Sequence, residues 1–427
     1  MAYTTFSFDS YSFDIITQKL ELKYSIDETL RFTEEFIFKV SPVSYNTAAL
    51  DRACQLLFFI AGVSYYKTYA PKNISVNMGE IDEKLAQFLS KTYQRGLREF
   101  FYQNNIPITT DITFPINHIE ELPLLHTATK PGMLIAVGGG KDSIVSYELA
   151  KKSSLPIKTW SLGHKNQLEP LVTIMAPDQH IWVERTIDKK LINRTLPDAL
   201  NGHIPISAIF AAASSIICIL TGTQDAVMSN EQSANEPTLY VDNEPVNHQY
   251  SKSAEFEQDY QSILEHLFGE TIRYYSLLRP YFEAKIVQIF SENYYEKYKA
   301  VFSSCNRAFT QNSNSIYWCG DCPKCAFAYL ALFCFLPEEK VNTLFKGKNL
   351  LIDPNLTTTY KKLLGITEDG KPFECVGEIK ESRVLMNIAK DKISLLNFGN
   401  YSIPKGFDWQ NKMPNNIPRD ILEKIAL

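Results

Sequence analysis

Nothing in this sequence offers a ready surface for a polyanion. Its 43 Lys and Arg are outnumbered by 48 Asp and Glu, for a net charge of −5 and a pI near 5.9. No basic run or polybasic tail appears, which argues against a general nucleic-acid or membrane surface. No nucleic-acid or membrane partner is therefore expected. Long hydrophobic runs are missing as well. The longest, residues 204–220, is shorter than the roughly 20 residues that span a bilayer. Pro205 and several serines interrupt it, so it reads as a buried helix. The opening MAYTTFSFDSYSFD has no positive charge ahead of its apolar part, and no signal peptide is expected. Eight cysteines then point to a reducing compartment, the cytoplasm, where clustered thiols hold metal instead of forming disulfides. Internal repeats and low-complexity stretches are also absent.

What is present divides into textures. At 427 residues the chain can fill two or three domains. Residues 3–40 alternate apolar and polar, the period-two signature of antiparallel strands. Residues 46–67 follow with helical spacing and Asn46 as the cap. Residues 81–104 again read as helix, and ITTDITFPI (108–116) as strand. From Met133 the pattern becomes strand, helix, strand: MLIAV, IKTWSLG (157–163), QHIWVER (179–185) and QDAVMSNE (224–231) are the strand candidates. Such alternation predicts an α/β fold with a parallel sheet covered on both faces. The expected division is an N-terminal α+β domain at 1–128, a catalytic domain at 129–345 and a C-terminal segment at 346–427.

The organising stretch is MLIAVGGGKDS, residues 133–143. A buried strand, a glycine turn and a helix start together make a phosphate site, because glycine lets backbone N–H groups approach an anion at the positive end of a helix. A Walker loop needs Ser or Thr directly after Lys141, where Asp142 stands. A dinucleotide fingerprint needs a third glycine where Ser143 stands. The S-G-G-x-D-S loop of ATP pyrophosphatases fits, with Gly138 replacing the leading serine. The residues nominated for ATP are Gly138, Gly139, Gly140, Lys141, Asp142 and Ser143.

Cys305, Cys319, Cys322 and Cys325 have the spacing C-x13-C-x2-C-x2-C. Four thiolates suit a tetrahedral structural Zn²⁺, with an Fe–S cluster and C-x-x-C redox chemistry as alternatives. His203, in NGHIP, and His248, in PVNHQYSK, are candidate proton-transfer groups, as is Lys252. Glu231 is a further candidate for proton transfer, because it follows a buried strand, where an unused acid would be out of place. Cys375, in KPFECVGE, could be a carbon-acid base, but its acidic neighbours would raise its pKa unless something offsets them. Asn230, Asn247 and Arg279 are candidate substrate ligands, Arg279 through a bidentate grip on a carboxylate or phosphate.

Nine segments, in order, resemble the UDP-N-acetylmuramoyl-L-alanyl-L-glutamate epimerases of bacterial cell-wall synthesis. They are AGVSYYK (61–67), GGGKDS (138–143), NGHIP (201–205), SNEQSA (229–234), VNHQYSK (246–252), YYSLLRP (274–280), FSSCNR (302–307), WCGDCPKC (318–325) and KPFECVGE (371–378). The resemblance implies a sheet of the adenine nucleotide alpha hydrolase-like type and a UDP-linked muramoyl dipeptide substrate. It also implies ATP, with Lys141 near its phosphates, and Mg²⁺ near Asp142 or Ser143. The reaction implied is adenylation of the terminal glutamate, inversion at Cα and hydrolysis, with release of AMP and pyrophosphate. Nitrile synthases of the queuosine pathway share such a loop and a four-cysteine site. The long N-terminal part and the motifs around Asn201, Asn247 and Phe373 favour the epimerases. A tRNA sulfur transferase would need a basic surface, and a non-catalytic zinc module would not need the ATP loop.

Overall fold

Alternation over the first forty residues becomes three antiparallel strands, β1 (Thr5–Asp14), β2 (Lys19–Ile26) and β3 (Leu30–Lys39). The computed structural model describes residues 3–310, 313–368, 370–394 and 396–425. A short β4 (Asn73–Val76) lies parallel to β1. The expected parallel strands follow as β5 (Lys130–Ala136), β6 (Ile157–Leu162), β7 (Gln179–Thr186) and β8 (Thr223–Met228). A two-stranded hairpin, β9 (Leu239–Val241) and β10 (Glu244–Val246), stands apart, and β11 (Arg273–Ser276) closes the list.

All but the hairpin form one mixed sheet, in the order β11-β8-β5-β6-β7-β3-β2-β1-β4. The parallel half runs from β11 to β7. The N-terminal strands continue it through an antiparallel seam, where Phe36 of β3 faces Arg185 of β7. Behind that seam Arg185 Nε donates to Glu34 Oε1 at 2.5 Å, with Glu34 fully buried. Burial pushes the Glu34 carboxyl up, and the guanidinium works against that shift.

Helices cover both faces because neighbouring strand residues point opposite ways. Leu134, Trp160 and Ala226 pack into one core with the β1–β3 aromatics and the helices Thr47–Ala61, Ile206–Thr221 and Ala254–Phe268. Met133, Ile135 and Val227 pack into the other, with Glu283–Asn293, Pro323–Phe335 and Ile379–Lys392. Asn46 caps the first helix through Ala48 N and Ala49 N, as its sequence suggests. Together with the next turn that helix makes a stretch, Thr47–Tyr66, long and apolar enough to cross a bilayer by length, but 83% of it is buried in the fold.

Two expectations need correction. The sheet is mixed, not parallel throughout, because β1–β3 join it. ITTDITFPI also forms no strand. Its backbone is taken up by side chains of the helix Glu83–Gly96: Gln94 Nε2 donates to Ile112 O at 3.0 Å, and Phe114 N donates to Ser90 Oγ at 3.0 Å. Ile112 and Phe114 are buried all the same. Its alternation therefore reports a segment lying on a helix.

Candidate active site at the carboxyl ends of the parallel strands

Strands β5, β6 and β7 run outward in one direction, whereas β8 and β11 lie on the other side of β5. The reversal leaves a crevice at the end of β5, where open parallel sheets bind ligands. The glycine turn sits there, followed by the helix Lys141–Ala150. Gly139 has φ +86°, and a Cβ on it would come within 2.6 Å of the Phe309 ring. A Cβ on Gly140 would lie 2.9 Å from Ser304 Oγ, whereas one on Gly138 would meet nothing within 4 Å. Gly138→Ser is thus expected to fold like the parent and leave the loop unstrained. Gly139→Ala should strain the loop by about 1–3 kcal/mol, which is about 5- to 150-fold in its affinity for a phosphate ligand. Titrating both variants with a non-hydrolysable ATP analogue checks this.

Lys141 is buried between Asp142 Oδ1 at 2.8 Å and Glu283 Oε1 at 2.5 Å. Burial lowers its pKa, but the two carboxylates outweigh burial and raise it. Glu283 is itself pushed up to about 7, chiefly by burial. Ser143 Oγ donates to Gly140 O at 3.0 Å and closes the first turn.

A cavity of about 530 Å³ opens beside the loop, lined by Gly138, Trp160, Phe210, His203, His248, Gln249, Lys252 and Cys375 among others. Four of the five nominated proton-transfer residues therefore face one space. Cys375 Sγ accepts from Lys252 Nζ at 3.2 Å and is hydrogen-bonded to His248, and Lys324 Nζ donates to Cys375 O at 2.8 Å. Burial pushes the thiol up, but Lys252, Lys324 and His248 more than offset this and hold it well below its ordinary value. The acids flanking it in sequence are thus overruled by three cations from elsewhere. His248 is raised to about 9: burial lowers it, while Cys375 and Glu99 raise it. Its Nδ1 bonds Glu99 Oε2. His203 lies beside it with the two rings tilted and their centroids 4.3 Å apart, and is lowered to about 3 by burial and by the His248 charge.

The remaining nominees lie around this space. Glu231 is buried at the end of β8 and exerts its charge on Lys252 and Glu283. Asn230 is buried beside it. Asn247 spends its amide on Ala234 O and Gln249 N. Arg279 is fully buried, bonded to Glu257, to Glu231 O at 2.7 Å and to Lys252 O at 2.7 Å. Its fork therefore holds the backbones of two site residues and does not reach the cavity lining. Glu99, Glu283 and Lys324 were missed by sequence reasoning. Glu99 had a signal, a carboxylate set among Leu97, Phe100 and Phe101.

The four cysteine sulfurs lie within 4.8 Å of one another, with Cys305, Cys322 and Cys325 buried. Such a closed thiol quartet fits a tetrahedral ion. Cys322 caps the helix Pro323–Phe335 by accepting from Cys325 N. Neighbours of the quartet grip both the glycine loop and the Cys375 segment: Ser303 N donates to Gly139 O at 3.0 Å, and Asn306 Nδ2 to Glu374 Oε2 at 2.6 Å. Glu99, His203 and His248 are a second set close enough to share an ion, although His248 is already engaged by Glu99 and Cys375. Cys334 donates to Leu330 O and Leu385 O and is packing.

A family model described as the MurL N-terminal domain matches residues 1–277, and one described as the MurL C-terminal domain matches residues 301–397. The chain belongs to the MurL family. It is 38% identical over 393 residues, 90% of this chain and 84% of the relative, to a Salinispora tropica protein named UDP-N-acetyl-alpha-D-muramoyl-L-alanyl-L-glutamate epimerase. Proteins of the same name from a Micromonospora species and from Xanthomonas oryzae pv. oryzae are 36% and 35% identical. They cover 91% and 90% of this chain and 87% and 85% of their own lengths. The two MurL models meet across the site. The phosphate loop, Glu99, His248 and Lys252 fall in the N-terminal match, and the quartet, Lys324 and Cys375 in the C-terminal one.

Proposed function

We propose that this chain is an isomerase that inverts the terminal L-glutamate of UDP-N-acetylmuramoyl-L-alanyl-L-glutamate, an ATP-dependent step in making a cell-wall precursor. The observation that carries the reading is the Cys375 sulfur, held by Lys252 and His248 in the cavity that also borders the phosphate loop. The sheet order, with its glycine turn at the switch point, supports an ATP-pyrophosphatase type of fold. Gln249 Oε1 and Trp160 Nε1 line the cavity wall buried and without a protein partner, as a nucleotide pocket would leave them.

The chemistry follows from charge. A glutamate Cα–H beside a free carboxylate resists deprotonation, because a second negative charge would build up next to the first. Attack of that carboxylate on the α-phosphorus of ATP forms an acyl adenylate and expels pyrophosphate, so the carbonyl can accept electrons. The Cys375 thiolate takes the Cα proton, and Lys252 stabilises the enolate oxygen that forms. Return of a proton to the opposite face and hydrolysis give the D-glutamate product and AMP. Lys141 and the loop N–H groups hold the departing phosphates. Asp142 would hold Mg²⁺, which would supply positive charge to neutralise those phosphates. The cysteine quartet would hold Zn²⁺ as a structural clasp on both loops. Cys322→Ser should then lose the metal and on the order of 3 kcal/mol or more of stability. Metal content and the thermal midpoint of the purified variant read this out. Reduced thiols and a nucleotide-linked substrate suit the cytoplasm.

One assay tests the proposal. Protein with ATP, Mg²⁺ and the UDP-linked dipeptide should release AMP and pyrophosphate and yield D-glutamate on hydrolysis of the product. Formation of ADP, or a need for ammonia, would overturn it.

A further inference from the structure

Two of the motifs, AGVSYYK and NGHIP, meet at a place the chemistry above does not use. Lys67 Nζ donates to Gly202 O at 2.5 Å and lies 3.4 Å from Asn201 Oδ1. Both segments line a separate pocket of about 380 Å³, within the size range of small-molecule sites. Its floor is apolar, with Ile187, Leu191, Leu200 and Ile204. Its charged lining is cationic only: Lys67, Lys190 and Arg194. Lys190 is partly spoken for by Arg31 O and Asp188. Arg194 makes no side-chain hydrogen bond or ion pair among the described residues. Burial and the nearby Arg185 lower the Lys67 ammonium to about 8, as expected of a cation short of anions.

The pocket also adjoins the reactive cavity. Asn201 and Ile204 line the first and His203 lines the second, so one short loop separates them. A third cavity, of about 500 Å³, shares Ile187 with the pocket and Leu162, His164, Ile206 and Phe210 with the reactive cavity. A long substrate whose glutamate lies at Cys375 can therefore run into it. We propose that this pocket takes the uridine diphosphate end of the substrate, the base on the apolar floor and the diphosphate against Lys67, Lys190 and Arg194. The inference rests on the proposed epimerisation for the identity of the ligand. ATP is the weaker occupant, because the glycine turn already provides its phosphate cradle elsewhere.

The test uses UDP itself as the probe, by calorimetry on the whole chain with a saturating non-hydrolysable ATP analogue. UDP should bind alongside the analogue. The double variant Lys190→Ala/Arg194→Ala should bind UDP at least about tenfold more weakly, and its KM for the UDP-linked dipeptide should rise correspondingly. Its affinity for the ATP analogue should hold, which also shows that the variant is folded. Failure of UDP to bind, competition between UDP and the analogue, or an unchanged UDP affinity in the double variant would each overturn the pocket. UDP binding that these two residues control, in a protein that does not epimerise, would leave the pocket standing and remove the activity. Normal epimerisation with unchanged KM in the variant would do the reverse.

Discussion

Replacing Cys375 by Ala is expected to lower the inversion of glutamate by about 10³-fold and to stop incorporation of solvent deuterium at its Cα. Pyrophosphate exchange into ATP should continue, because the loop that activates the carboxylate is untouched. The prediction follows from placement. A buried thiol would ordinarily stay protonated, but Lys252 and His248 at the sulfur and Lys324 at the adjacent carbonyl make the thiolate the favoured form. A thiolate held by cations is a competent base only while the cations are present. Lys252→Met should therefore move in the same direction as Cys375→Ala. A Cys375→Ala protein that exchanges deuterium at the parental rate would remove Cys375 from the reaction. One that loses pyrophosphate exchange as well would mean that the residue serves activation and not inversion.

Much of the frame was legible because its signals are local. MLIAV, IKTWSLG and QHIWVER are strands because period and composition agree over seven residues or so, and Asn46 caps its helix through its own next turn. Local signals stop at the seam. Nothing in residues 30–39 says that β3 will pair with β7, about 150 residues later, and carry the N-terminal strands into the same sheet. β11 went unread because four residues, RYYS, give no period. The site divides the same way. The glycine loop and the cysteine quartet have spacings that chemistry dictates, so both could be named. Cys375 could be named but not judged, since its acidic neighbours are in its own segment and its cations come from two others. Arg279 was suspected as a ligand because arginine suits carboxylates. The carboxylate it meets is the protein's own Glu257, and its remaining bonds brace Glu231 and Lys252. Such roles depend on which way a side chain faces, and no spacing records that.

Glu99→Gln is the second large effect, and its sign can be worked out. Glu99 is buried and accepts from His248 Nδ1, while the same imidazole ring also meets Cys375. Carboxylate, imidazole and thiolate thus form a relay, in which Glu99 is a positioning residue that never meets the substrate. His248 is raised from 6.5 to about 9, with burial opposing the shift and Cys375 and Glu99 producing it. A group whose folded pKa is raised contributes its full stabilisation below about pH 6.5, and that contribution fades as pH rises through about 9. The same proton helps keep Cys375 ionised, so kcat/KM should fall on the alkaline side as His248 deprotonates near pH 9. A glutamine cannot supply the negative charge, and its amide N–H can present a donor where the ring needs an acceptor. The alkaline limb should move to lower pH, and kcat at neutral pH should drop by about 10²-fold or more. Glu99→Asp, which keeps the charge, should recover part of both. A residue that only filled space would lower activity at every pH alike, so a variant with reduced kcat and an unmoved alkaline limb would take Glu99 out of the relay.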